Sequence, residues 1–184
     1  MARTRVGFFQ GLLGSLPIVL AYFPVAVSFG VAAGKSGFSL AEAAFMSFII
    51  YAGASQFLAI ALLAGGAGPL LAIVSLLTLN ARHLLYAPAL LQRVRRTESV
   101  RQLKVPWLWA HGLTDEVFAS ALGRLAMKDA RWTESWQVGM GIGAYLAWGS
   151  GTVVGALLGG GAFERWPAVD AALGFLMPTL FLSL

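Results

Sequence analysis

The chain has 184 residues, of which 58% are apolar and 11% are charged, and its mean hydropathy is +0.76. A soluble domain carries about 25% charged residues, so these few charges cannot cover a soluble surface. Cysteine is absent, which excludes a disulfide framework, a thiolate nucleophile and a Cys-based metal site. The composition therefore predicts a chain whose main solvent is lipid.

The net charge is +5, and many of the basic residues lie at the N-terminus and in one short stretch. They are Arg3, Arg5, Arg93, Arg95, Arg96, Arg101 and Lys104. No aromatic residues alternate with them, whereas proteins that bind single-stranded nucleic acid stack bases on aromatic rings. The pattern predicts cytoplasmic flanks of a membrane protein, with a basic cytoplasmic loop over 92–105 and no nucleic-acid partner.

Six hydrophobic segments follow one another with short polar breaks between them. They are Leu12–Ala33, Leu40–Ala64, Leu70–Leu91, Trp107–Met127, Trp136–Leu158 and Trp166–Leu184. Each has about the 20 residues that span a hydrocarbon layer of about 30 Å as a helix, and none shows the alternation of a barrel strand. The pattern predicts an all-α polytopic transmembrane helical bundle that forms one integral membrane domain over 1–184. Because the last segment ends without a polar flank, we expect the chain to be truncated at its C-terminus.

The number of segments conflicts with the distribution of charge. Three segments separate the N-terminal arginines from the basic loop, but an even number of crossings is needed to keep both in the cytoplasm. Helix breakers are available at Pro17 and Pro24 in the first segment and at Gly53 in the second. We therefore expect one of these elements to be broken or re-entrant, or else the N-terminus to lie outside.

A weak internal repeat is present at an offset of 125 residues. Gly30, Gly34, Phe38 and Ala43 then fall on Gly155, Gly159, Phe163 and Ala168, and Gly53 falls on Pro178. Interrupted segments at matching positions of two halves are the sequence pattern that points to a transporter's binding site.

The fifth segment also carries small residues every four positions, which predicts close helix packing within the chain or between subunits. They are Gly139, Gly143, Ala147, Gly151, Gly155 and Gly159.

Polar side chains recur at helical spacing in the third segment, at Ser75, Thr78, Arg82 and Tyr86, with Asn80 and His83 beside them. This spacing predicts one polar stripe along a helix. Arg82 precedes the end of the segment by about nine residues, or roughly 14 Å along a helix, and an arginine at the membrane centre costs about 2.5–3.5 kcal/mol. We therefore favour a buried pairing role for Arg82, the alternative being that Arg82 and His83 reach the headgroups.

The fourth segment offers partners for Arg82. His111 and Asp115 are four residues apart, which predicts that they share one helix face. Asp115 or Glu116 would neutralise Arg82, because breaking a buried ion pair costs about 3–5 kcal/mol. Alternatively, one carboxylate binds a substrate ammonium group or relays protons, and both roles can apply at different stages of transport.

Gly53 suggests a helix break in the second segment, just before Ser55 and Gln56. The amide groups at the start of the second half-helix would then hold a carboxylate, and unwound carbonyl groups could hold a cation. The alternative is a continuous helix in which Gly53 is a packing notch.

Motifs of enzymes are missing from the sequence, including the Gly-x-Ser-x-Gly elbow, His-Glu-x-x-His and the P-loop, so we predict no enzyme, no cofactor and no metal site.

Four stretches together resemble a known family. They are Tyr51–Phe57, Leu79–Tyr86, Asp115–Phe118 and Met177–Phe181. They resemble the AzlC/YgaZ family of bacterial branched-chain amino-acid exporters, the large subunit of a two-component permease. The resemblance implies a multi-pass inner-membrane protein that exports valine, leucine, isoleucine or their analogues with a small AzlD-type membrane subunit. Family members usually continue past the Met-Pro-Thr segment with further spans.

These observations lead to a hypothesis for the site, in which the α-carboxylate of the substrate meets a half-helix start and its ammonium group meets an acid. The predicted substrate-binding residues are Tyr51, Gly53, Ser55, Gln56, Phe57, Asn80, Asp115 and Glu116. The predicted ion-pair or proton-relay residues are Arg82, His83, His111 and Asp115. Transport would be coupled to protons, and the chain could form a homo-oligomer in the lipid. The alternatives are a channel-like or structural membrane subunit and, third, a membrane enzyme.

Overall fold

The structure is a computed structural model that describes residues 7–97, 104–127, 132–159, 168 and 171–172. Within these ranges the chain is helical and contains no strand, which confirms the all-α class. A π-helical turn, Met46–Ile50, follows the third helix directly. The helices are α1 (Phe8–Gly14), α2 (Leu16–Lys35), α3 (Leu40–Phe45), α4 (Gly53–Ala64), α5 (Pro69–Asn80), α6 (His83–Thr97), α7 (Pro106–His111), α8 (Asp115–Ala126) and α9 (Glu134–Leu158).

The chain divides into two compact units. The first unit contains Met1–Val19 and Ala81–Tyr145, and the second contains Leu20–Asn80 and Leu146–Leu184. Except for 168 and 171–172, the sixth predicted segment lies outside the described residues, as do Phe163 and Pro178 of the predicted repeat.

Three stretches of the described residues are long and apolar enough to cross a membrane, namely Leu16–Lys35, Pro69–Arg96 and Glu134–Leu158. The second and fourth segments are each divided into shorter helices, which agrees with the expected broken element for the second and was not expected for the fourth. The predicted breakers of the first segment do not end its helix. Pro24 lies inside α2, and Pro17 is its second residue, where the N–H has no partner within the helix in any case.

The second segment is broken where Gly53 predicts it, so the continuous-helix alternative is wrong. The π-helical turn ends at Tyr51, which adopts the left-handed conformation with φ of 45°. Ala52 is extended, and α4 begins at Gly53. At the other end of the segment, Ser39 and Glu42 form a reciprocal capping box that starts α3.

Contacts within the second unit indicate that the second segment is re-entrant. On its way to the break, Ser47 bonds to Thr152 and Phe48 lies against Gly149. Two ring contacts with α2 show in which direction the chain continues after the break. Trp148, which lies beside Gly53, packs on Tyr22, whereas Phe57 packs on Phe29, further along α2. The segment therefore approaches the level of Trp148 and then turns back.

The fourth segment is interrupted at Gly112–Thr114, between α7 and α8. His111 therefore ends one helix and Asp115 begins the next, so the prediction that they share a helix face is wrong. The error arises because glycine and the capping residue Thr114, whose hydroxyl accepts from the Val117 N–H, favour a helix end and a new start over continuation.

Contacts within the first unit indicate that the fourth segment also turns back. At the start of α7, the Val105 N–H donates to Glu134 at 3.0 Å. At its end, a Cβ added to Gly112 would lie 3.1 Å from the Cα of Gly141. The chain then returns along α8, where the guanidinium of Arg124 lies 4.5 Å from the ring centre of Trp136.

The third segment differs from the sequence prediction in two respects. A turn at Ala81–Arg82 separates α5 from α6, so the polar residues do not form one uninterrupted stripe, and the hydroxyl of Thr78 bonds back to the Val74 carbonyl. In addition, α6 continues to Thr97, which makes the beginning of the predicted 92–105 loop helical. Arginine has a high helix propensity, so α6 continues beyond the last apolar residues of the segment.

The predicted glycine stripe of α9 packs within the chain. In the first unit, a Cβ on Gly139 would collide with the backbone of Phe8, and one on Gly143 with Ser15. In the second unit, a Cβ on Gly155 would collide with the Val27 carbonyl group, and one on Gly159 would lie 3.4 Å from Val31 Cα. Residue numbers rise together along both helices of each contact, so the helices run parallel, as close backbone approach by glycines permits.

The break in the second segment agrees with the first of the two alternatives that the sequence left open, a broken or re-entrant element. It leaves Leu16–Lys35 and Pro69–Arg96 as the stretches that can cross between the N-terminus and the basic stretch. Two is the even number that the positive-inside rule requires. One crossing between α2 and α9 also agrees with their parallel packing in the second unit.

Candidate functional site

The predicted site residues fall into two clusters, one in each unit. The α4-start cluster, in the second unit, contains Tyr51, Gly53, Ser55, Gln56, Phe57 and Asn80. The Asp115 cluster, in the first unit, contains Arg82, His83, Tyr86, Asp115 and Glu116. His111 is also in the first unit, where its ring packs against that of Tyr145 with centroids 5.7 Å apart.

Gln56 is completely buried, and both ends of its amide are bonded inside the second unit. Its Nε2 donates to Ser47 Oγ at 2.9 Å, and its Oε1 accepts from Trp148 Nε1 at 2.8 Å. Ser47 in turn bonds to Thr152 Oγ1 at 2.7 Å. This network fastens the first turn of α4 to α9, so in this conformation Gln56 supports the site rather than facing a ligand.

The sequence did not single out Ser47, Trp148 or Thr152. One signal was available for Trp148, which lies inside a hydrophobic segment while the other tryptophans lie near segment ends. Tryptophan at such a position usually has a polar partner for its N–H, and here the partner is Gln56.

Gly53, Tyr51 and Phe57 are held by close packing. A Cβ added to Gly53 would lie 2.6 Å from Cη2 of Trp148, so the indole covers the position where a side chain would begin. Tyr51 is buried, and Phe57 is completely buried with its ring edge-on to Phe29 at 5.4 Å. The two aromatic residues thus belong to the packed interior of the second unit.

The first turn of α4 presents backbone donors. Ala52 makes no side-chain cap, and the first amides of a helix have no acceptor within it. Ser55 Oγ donates to Asn80 Oδ1 at 2.6 Å, which ties the end of α5 to this turn. Helix starts with uncapped N–H groups attract anions, carboxylates included.

The Asp115 carboxylate is bonded through both of its oxygens. Arg82 Nη2 lies 3.0 Å from Oδ2, and the hydroxyl of Tyr86 donates to Oδ1. The side chains of Arg82 and Asp115 are 34% and 40% exposed, so the pair remains accessible. The structure therefore brings together the two charges that the sequence analysis paired, and it adds Tyr86 as a third member.

Aromatic rings surround this ion pair. Tyr86 stacks on Phe118 with centroids 4.8 Å apart, and His83 packs edge-on against Tyr86 at 5.4 Å. Asp115 and Glu116 both lie in the first turn of α8, where the helix dipole stabilises negative charge. No group of His, Cys, Asp and Glu that could hold a metal ion occurs among the described residues.

Long apolar helices together with two interrupted, re-entrant segments define the class of protein. Non-helical backbone of this kind is tolerated in membranes only where protein or a water-filled cavity surrounds it, and it is a feature of transporters. The fold and the two polar clusters are those of a polytopic α-helical membrane transport protein.

A family model described as AzlC protein matches residues 17–161, and the chain belongs to the AzlC family. The protein named "Inner membrane protein YgaZ" in Escherichia coli K12 is 46% identical over 176 residues, which cover 96% of this chain and 71% of that protein. An "Uncharacterized membrane protein" of Archaeoglobus fulgidus is 40% identical over 96% of this chain and 74% of its own length.

A Bacillus subtilis 168 protein named "Branched-chain amino acid transport protein AzlC" is 27% identical over 91% of this chain and 62% of its own length. No solved structure matches the chain. The comparisons confirm the family resemblance and a role in membrane transport.

Proposed function

We propose that this chain exports branched-chain amino acids across the bacterial inner membrane, as the large subunit of a permease with a small AzlD-type membrane subunit. The substrate class is supported by the name of the Bacillus subtilis relative and by the four motif stretches. The observation that carries the proposal is the accessible Arg82–Asp115 pair, because ionisable groups in membrane segments are costly and usually mark a transport pathway.

Asp115 is proposed to bind the ammonium group of the substrate, with Glu116 beside it. An arriving ammonium group competes with Arg82 and Tyr86 for the same carboxylate oxygens. Because Arg82 is partly exposed, it can withdraw toward water when the substrate takes its place. Arg82 thus holds the acid in position between transport events.

The start of α4 is proposed to bind the carboxylate of the substrate, through the amides of Gly53 to Ser55. Asn80 supports this turn through its bond to Ser55. Gln56 and Phe57 act indirectly, by holding the turn in place from the buried side.

Protons are proposed to drive export, with Asp115, His83 and His111 as carriers. The support is chemical: histidine changes its charge near neutral pH, and membrane carboxylates commonly relay protons. Valine uptake into inverted vesicles, measured with and without a pH gradient, tests this step. Uptake that does not respond to the gradient would exclude the coupling while leaving the substrate assignment intact.

The function is tested by valine transport in the double variant Asp115→Asn, Glu116→Gln. We expect transport to be lost, because neither amide attracts an ammonium group as a carboxylate does. The matched control is Glu42→Gln, which removes an exposed carboxylate of the α3 capping box and should leave transport unchanged. Transport by the double variant at the wild-type rate would contradict the role of the acids.

A second candidate is a structural or channel-like subunit, and the buried Gln56 network favours it. In that case the polar groups only hold helices together. The variant Gln56→Ala loses stability under both roles, so transport per folded molecule distinguishes them: a purely structural role predicts normal transport by the folded fraction, whereas a support role in transport predicts little transport by it.

A further inference from the structure

The first unit contains an open groove whose lining includes none of the residues proposed to bind the substrate, although its Phe118 also stacks on Tyr86 beside the ion pair. The groove has a volume of about 560 Å³ and lies between α6 and α8. On α6 it is lined by Gln92, Arg93 and Arg96. On α8 it is lined chiefly by Phe118, Leu122 and Gly123. The groove thus combines one strongly basic wall with one apolar wall.

Both charged residues that the structure describes in the lining of this groove are arginines. Arg93 and Arg96 are three residues apart and therefore lie on one face of α6, and no acid occurs among the described lining residues. Arg95, in contrast, is not among the lining residues, although it lies between the two. Two guanidinium groups in one wall favour a negatively charged occupant.

The position of the groove along α6 indicates its surroundings. Leu84 and Leu85, in the first turns of α6, are 78% and 68% exposed, as side chains that face acyl chains are. The apolar run ends at Leu91, and the basic residues follow immediately. The groove thus lies where the apolar part of α6 gives way to its basic end, which is the level at which membrane helices meet headgroups.

We infer that this groove binds an anionic phospholipid, with the phosphate against Arg93 and Arg96 and an acyl chain against Phe118 and Leu122. Guanidinium groups bind phosphate oxygens in pairs of parallel hydrogen bonds. Basic pockets between membrane helices are typical sites for anionic headgroups. A free phosphate would satisfy the arginines but would leave the apolar wall uncovered, so a lipid fits the groove better.

Gly123 keeps the groove open. No heavy atom lies within 4 Å of the position that a Cβ on this residue would occupy. A methyl group is therefore tolerated there, whereas a larger side chain would occupy the space of the acyl chain. This contrast allows the groove to be blocked without changing its charge.

The inference is tested by the binding of phosphatidylglycerol to the purified full chain in detergent, measured by native mass spectrometry. The double variant Arg93→Gln, Arg96→Gln should bind about 30-fold more weakly, since each basic residue near a membrane surface contributes about 1 kcal/mol. The control Arg95→Gln removes one charge from the same turn outside the groove, and it should bind no more than about fivefold more weakly than the wild type, since one basic residue near a membrane surface contributes about 1 kcal/mol.

Two further comparisons identify the ligand. Phosphatidylethanolamine, which has no net charge, should bind at least about tenfold more weakly than phosphatidylglycerol, because it lacks the net charge that attracts basic residues. Inorganic phosphate at millimolar concentration should not displace phosphatidylglycerol.

Gly123→Ala should bind the lipid normally, and Gly123→Leu should lose it. Folding of each variant is checked by size-exclusion chromatography and circular dichroism. If the glutamine pair does not fold, the single variants Arg93→Gln and Arg96→Gln replace it, and each should bind about fivefold more weakly than the wild type.

Equal binding of the two lipids would overturn the inference, as would full displacement by inorganic phosphate. Unchanged binding by folded Gly123→Leu together with the arginine variants would also overturn it. Because the readout is lipid binding, these outcomes do not depend on which substrate the protein transports.

Discussion

The two re-entrant segments differ in how their polar groups are used. At the break before α4, Gln56 is completely buried and fully bonded to Ser47 and Trp148. At the start of α8, Asp115 is bonded to Arg82 and Tyr86 but remains 40% exposed. The Gln56 side chain is therefore a fixed support, whereas the Asp115 carboxylate offers charge to its surroundings. Stability and transport should therefore respond differently to substitutions at the two places.

The largest effect on stability is expected for Gln56→Ala. The change leaves buried hydrogen-bonding groups of Ser47 and Trp148 without partners and opens a cavity, so we expect a loss of about 3 kcal/mol in the free energy of unfolding. Unfolding in detergent, followed by circular dichroism, measures it. The control Gln92→Ala truncates an exposed glutamine and should cost less than about 0.5 kcal/mol. Equal stability of the two variants would contradict the idea of a fixed support.

A smaller loss is expected for Gly53→Ala, whose methyl group would press on the indole of Trp148. Overpacking of this kind costs about 1–3 kcal/mol. The indole cannot move away freely because it is bonded to Gln56. In a Trp148→Phe background the ring is smaller, so the same substitution should cost less. A double-mutant cycle on unfolding free energies tests the coupling, and an additive result would refute it.

At the other break, Asp115→Asn should change stability little and transport strongly. The ion pair is partly exposed, so its loss should cost less than about 1 kcal/mol. Valine transport, in contrast, should fall about 10- to 100-fold, as expected for losing a charge-assisted bond to the substrate. Arg82→Gln should have a similarly small effect on unfolding. A large loss of stability with unchanged transport per folded molecule would reverse the comparison.

The smallest effect on stability is expected for Ala52→Ser. Ala52 precedes α4 in an extended conformation and makes no cap, and a serine there could bond to the free amides, which adds at most about 1 kcal/mol. The same bond would compete with a substrate carboxylate, so the KM for valine should rise. Thr114→Ala, which removes the corresponding cap of α8, is the comparison variant and should lower stability by about 1 kcal/mol. An unchanged KM in Ala52→Ser would argue against carboxylate binding at α4.

Local signals in the sequence were sufficient for several features of the fold. The apolar segments predict the membrane helices, Gly53 predicts the break in the second segment, and the small residues of α9 predict its close packing. Local extrapolation failed where a helix was assumed to continue through Gly112 or to stop at Leu91. In both cases the hydrophobic run and the helix have different ends, because capping and helix propensity act independently of hydrophobicity.

The sequence by itself determined the solvent, the helical class and the places where helices can break, because these depend on composition and on neighbours a few residues away. Only the tertiary structure decided that Trp148 bonds to Gln56, that Tyr86 and Arg82 meet on Asp115, and that the interrupted segments turn back. Those pairings join residues far apart in the chain, and each is selected by the low tolerance of a protein interior for unpaired polar groups. Such a selection requires the three-dimensional arrangement of the partners.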